Sequence, residues 1–117
     1  MESILTSIKK LLGIMEEYEH FDQELIIHIN SVFSILTQFG VGHSKGFAIK
    51  HKSSVWTDYI SDNLNLEPIK SYIYLKVKLL FDPPTSGAVM ESTNQIIEEL
   101  EWRINHTVDG GEDMQNE

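Results

Sequence analysis

The chain contains no cysteine, which excludes disulfides, thiolate metal sites and thiol nucleophiles and gives no sign of an oxidising compartment. Folding in the cytosol is the expectation that follows. Long apolar runs are also missing, and none approaches a bilayer span. The opening stretch MESILTSIKKLLG lacks the apolar core and small-residue cleavage site of a signal peptide, so a soluble chain with no membrane contact is expected. Positive charge is scarce: nine Lys and Arg stand against 18 Asp and Glu, a formal net charge of -9 with a pI near 4.9. That balance opposes adhesion to nucleic-acid phosphates or anionic lipid. The local exception is a short segment holding Lys45, Lys50 and Lys52 with His43 and His51, read as a solvated loop or, less simply, as a contact for an anion or acidic partner.

What is present is helical periodicity. At 117 residues the chain has the length of one small domain with a modest core. Its densest pattern is PIKSYIYLKVKLLFDPP, Pro68 to Pro84. Ile69, Tyr72, Ile73, Val77 and Leu80 recur at the three-and-four spacing of one helix face, and Leu75 and Leu79 widen it. Pro68 suits a first turn, where its missing N–H costs nothing, and Asp82-Pro83-Pro84 ends the helix. Lys76 falls inside the apolar arc and is expected either to stretch its stem to water or to meet a carboxylate such as Glu98 or Asp82.

Around this central helix the rest takes its place. Ile4, Leu5, Ile8, Leu11 and Leu12 predict a short first helix, with Lys9 and Lys10 near its end and Gly13 as a left-handed cap. Asp22 is placed to cap a longer second helix carrying Leu25, Ile26, Ile29, Val32, Phe33, Leu36 and Phe39, which stops at Gly40-Val41-Gly42. The opposite face of that helix is unusual: Ile27, Asn30, Ser31, Ser34, Thr37 and Gln38 include no charge, whereas solvent-facing helices normally carry Lys and Glu. Phe47-Ala48-Ile49 predicts an extended or hairpin segment near 45–52. Ser53 or Ser54 is placed to cap a short helix presenting Val55, Trp56, Tyr59 and Ile60, ending near Asp62-Asn63, with Trp56 in the core. Val89, Ile96, Ile97, Leu100 and Ile104 define a last helix with Asn94, Glu98, Glu99 and Glu101 outward. Trp102 lies on the far side of that helix, a position natural at an interface and costly on a monomer. The fold class expected is all-α: a compact bundle of four to five helices over residues 1–106, followed by an acidic flexible tail, 107–117.

No constellation for chemistry emerges. Gly40, Gly42 and Gly46 lack the spacing of a phosphate loop, and His20, His28, His43, His51 and His106 show no metal-ligand spacing. No G-x-S-x-G surrounds a serine. A helix-turn-helix would need basic residues on its second helix, which is uncharged outward. No catalytic residue, cofactor or metal is expected, and assembly is the natural use of two helix faces dressed for contact.

The blocks ILTSIKKLLGI (4–14), HFDQELIIHINSVFSILTQFGVG (20–42), YIYLKVKLLFDPP (72–84) and EELEWRIN (98–105), taken in order and spacing, resemble the head-tail connector family of tailed bacteriophages and prophages, also called head-completion or adaptor proteins. The resemblance implies a mainly helical subunit that assembles into a ring, dodecameric in the particle, beneath the portal protein at the capsid vertex of the virion, after synthesis in the host cytoplasm. Such a ring extends the DNA channel without binding the genome specifically and docks neck or tail completion proteins. It also implies that the C-terminal segment, with Thr107, Val108 and Met114, engages the portal. Subunit contacts are then expected at Ile27, Asn30, Ser31, Ser34, Gln38 and Trp102. The competing expectation is a small helical regulatory or adaptor module that binds one cellular protein.

Overall fold

A computed structural model describes residues 2–42, 45–60 and 66–116, with side chains up to His106. It is all-α, with α1 Ile4–Leu12, α2 Asp22–Gln38, α3 Trp56–Tyr59, α4 Leu66–Phe81 and α5 Gly87–Asn116. Ser3 caps α1 by accepting a 2.9 Å hydrogen bond from the Thr6 amide. Gly13 ends it at φ 82°, and the Ile14 amide donates back to the Lys9 carbonyl at 2.8 Å, the left-handed closure that a glycine makes at least cost. The second helix closes the same way, with Gly40 at φ 85° and the Val41 amide on the Leu36 carbonyl.

The central helix is central. α4 packs against α2 and α5 on its two sides and also meets α1, which lies across α2 and α4. Ile69, Tyr72, Ile73 and Val77 of α4 are buried together with Ile4, Leu5 and Ile8, with Leu25, Ile29, Val32, Phe33 and Leu36, and with Ile97, Leu100 and Ile104. Trp56 is core, and its indole N–H donates to the Ser7 hydroxyl at 2.9 Å, which satisfies the polar tip of a large apolar ring. Tyr72 donates to a Glu101 carboxylate oxygen at 2.8 Å, linking α4 to α5. Burial first and that carboxylate second hold the Tyr72 phenol protonated well above its ordinary range.

Residues 45–55 form a strap along α2 and not a hairpin. Among the described residues the one β-bridge joins Ser3 to Val55. Phe47 stacks edge-on against Phe33 with ring centroids 5.0 Å apart, Ile49 is buried, and Lys52 reaches Glu19 at 3.6 Å. The Ser54 carbonyl then accepts from the Ile4 amide at the start of α1. A three-residue apolar stretch is too short to found a sheet, but long enough to cover one helix.

Several expectations are corrected. Asp22 does not cap α2; Phe21 occupies the N-cap without a side-chain bond, because the Asp22 carboxylate is engaged 2.9 Å from the Lys9 ammonium. Neither Ser53 nor Ser54 caps α3; the Val55 amide is satisfied by Asp58 instead. Leu80, Val89 and Ile96, expected to be covered, are 53%, 51% and 48% exposed. Among the described residues the end of α4 and the flank of α5 have no neighbour that covers them. His43 and Asp62-Asn63 lie outside the described residues. The backbone of α5 runs to Asn116, through the segment expected as a tail.

Candidate functional site

The strap lies against α2, α2 against α4 and α4 against α5, so the strap edge and the α5 edge belong to different parts of the subunit. The residues that sequence reasoning singles out divide between these two edges.

At the strap edge, the uncharged face of α2 is partly used by the chain itself. Asn30 is half-buried, its Nδ2 donating to the Ile49 carbonyl and its Oδ1 accepting from the Ile49 amide, both at 2.8 Å. That residue acts as an internal clamp on the strap, with one N–H and one carbonyl lone pair of its amide engaged. Ile27, Ser31, Ser34 and Gln38 are exposed, with Ile27 at 64%, and the Ser31 hydroxyl bonds back to the Ile27 carbonyl at 3.1 Å. Ser34, Thr37 and Gln38 form one wall of an open groove of about 550 Å³, and Lys45, Gly46, Phe47 and Ala48 of the strap form the other. A neutral face on α2 is thus the floor of a groove with a cationic rim.

A second groove, about 410 Å³, opens between α2 and α4, lined by His28, Ser31, Val32, Ile35, Lys76, Leu79 and Leu80. Lys76 lies half-buried here, and no carboxylate among the described residues is within ion-pair distance of it. Of the two fates expected for that lysine, the stretched stem is the one realised.

At the other edge, Trp102 is 65% exposed and stacks on His106, with ring centroids 5.0 Å apart and planes 5° apart. With 100° per residue, Glu91, Gln95, Glu98 and Trp102 share the side of α5 opposite the buried Ile97, Leu100 and Ile104. All four are exposed. Glu99 lies to one side, held by Arg103 at 2.7 Å. The side chains of Thr107, Val108 and Met114 lie outside the described residues, and so does any contact they make.

Sequence reasoning missed a third feature. Lys9, 2% exposed, donates to the Glu16 and Tyr18 carbonyls at 2.8 and 2.7 Å and pairs with Asp22. Two ammonium hydrogens thus go to backbone carbonyls, and the carboxylate stands against the ammonium as its counter-charge. This lysine fixes the 13–21 connection, which displays Met15, Tyr18 and the Glu16, Glu17 and Glu19 carboxylates to solvent. The available signal was its position one turn after Leu5 and next to Ile8, at the border of the apolar stripe of α1.

Among the described residues no three His, Asp or Glu side chains are grouped to hold an ion, and no helix among them is long and apolar enough to cross a membrane. No curated protein and no solved structure matches the chain. A family model described as phage connector protein does match, over residues 4–111, which takes in all five helices apart from the last residues of α5. An all-α subunit with its contact-ready residues parted between two edges, matched over nearly its whole length, belongs to the phage connector protein family.

Proposed function

We propose that the chain is a non-enzymatic head-tail connector subunit that closes into a ring beneath the portal, extends the DNA channel and carries the neck or tail completion proteins. The observation that supports this reading is a pair of unlike exposed faces, the strap with α2 and the Trp102 face of α5. Unlike patches on one chain make a head-to-tail contact, which closes into a ring when the rotation per copy divides a full turn. A dodecamer in the particle, and contact of the segment from Thr107 to Met114 with the portal, belong to this proposal through the family. The charge of -9 suits a channel wall, since a surface that held phosphates tightly would retard a passing genome. In the particle the protein would sit at the head-tail junction, after synthesis in the bacterial cytoplasm.

Trp102 tests the reading. A large aromatic group exposed at the centre of a helix face is the type of residue that dominates an interface when buried. Trp102→Ala should raise the concentration needed for assembly by tenfold or more, read by light scattering and negative-stain imaging, while far-UV circular dichroism stays unchanged. Assembly equal to the parent chain would remove α5 from the contact. A parent chain that stays monomeric at every concentration would favour the competing module that binds a single cellular protein.

A further inference from the structure

The two edges differ in charge as well as in shape. Most cations of the chain are spoken for: Lys9 is buried with Asp22, Lys10 pairs with Glu2, Lys52 with Glu19 and Arg103 with Glu99. Lys70 lies over the Trp56 ring and Lys78 over Tyr74. Lys45 and Lys50 are exposed on the strap, with no ion pair or ring contact among the described residues. On α5 Glu91 and Glu98 are exposed on the same face as Trp102, and no cation among the described residues pairs with either. Copies each carrying a net charge of -9 repel one another at long range, so any self-contact must be locally complementary.

We infer, resting on the ring reading above, that successive copies are held in register by charge: Lys45 and Lys50 on the strap of one copy face Glu91 and Glu98 on α5 of the next, with Trp102, one helical turn beyond Glu98, seated beside the charged contact. The spacings agree. Seven residues of helix separate the two glutamates by about 10 Å, and five residues of extended strap separate the two lysines by at most about 17 Å, a difference that lysine stems absorb. The lysines lie on the strap and the glutamates on α5, so each copy offers one partner of each sign. The aromatic supplies buried area and the charges select orientation and partner.

The test uses the full chain and two charge reversals, Lys45→Glu with Lys50→Glu, and Glu91→Lys with Glu98→Lys. All four positions are exposed, and circular dichroism verifies that each variant folds. Each variant alone should need at least tenfold higher concentration to assemble than the parent. An equimolar mixture should assemble again, into rings with an even number of alternating copies, because each variant supplies the sign the other lacks. Raising salt from about 0.1 to 1 M, which shortens the screening length from about 10 to 3 Å, should weaken the parent and the mixture alike. If the parent forms rings and both variants do so equally well, or if the mixture fails to recover, the charge pairing is wrong and the ring reading stands. If the parent forms no ring at all, the ring reading fails and takes the pairing with it.

Discussion

Replacing Lys9 by alanine should lower the unfolding free energy by about 3–5 kcal/mol, the usual cost of removing one member of a buried ion pair. Three losses coincide at this position. The Asp22 carboxylate, 15% exposed, is left without its counter-charge. The carbonyls of Glu16 and Tyr18 lose their donor. The stem, packed among the buried residues of α1, leaves a void. For a domain of this size the loss corresponds to a fall in melting temperature on the order of 10–20 °C, measurable by circular dichroism or urea titration. Lys9→Met refills the void without restoring the charge and should remain about as unstable in respect of Asp22. Lys9→Met combined with Asp22→Leu should recover part of the loss, because an apolar pair of similar volume replaces a buried ion pair at little cost. A single variant within 1 kcal/mol of the parent would mean that the ammonium does not hold the 13–21 connection.

The clamp on α2 should give the second large effect. Asn30→Ala leaves both the amide and the carbonyl of Ile49 unpaired at a residue only 1% exposed, and each buried orphan costs about 1–3 kcal/mol. A total of about 2–6 kcal/mol is expected, expressed first as a local opening. Amide exchange at Ile49 should accelerate well before exchange in α4 does. Asn30→Asp keeps the acceptor for the Ile49 amide but turns a carboxylate oxygen on the Ile49 carbonyl, so it should recover the first bond and not the second. Since the strap carries Lys45 and Lys50, the same variant should also weaken assembly under conditions where the monomer is still folded. Unchanged exchange at Ile49 would show that Phe47 and Ile49 hold the strap by apolar packing alone.

How far the fold could be read from the sequence follows from the range of the interactions. The helices α1, α2, α4 and α5 rest on apolar spacing within one turn or two, and Gly13 and Gly40 on local backbone geometry, so they stand where periodicity puts them. Trp102 stands exposed for the same reason: its position on the wheel is a local fact. What was not legible depends on partners distant in the chain. Asn30 meets Ile49 across 19 positions and Trp56 meets Ser7 across 49, and no spacing rule announces either. Asp22 looked like a cap because an aspartate at a helix start usually is one; the demand of a buried lysine 13 positions earlier overrides that preference. Leu80, Val89 and Ile96 have apolar periodicity, yet burial also needs a neighbour, and the number of neighbours is a property of the tertiary fold.

Of the helices, α5 rests chiefly on α4. Its thirty residues measure about 45 Å, against about 24 Å for the sixteen of α4, so α5 is nearly twice as long as the helix it rests on. Where a helix outruns its support, each 5° of tilt at the base moves a point about 20 Å further along by about 2 Å, so a small adjustment in how α5 sits on α4 is magnified along its length.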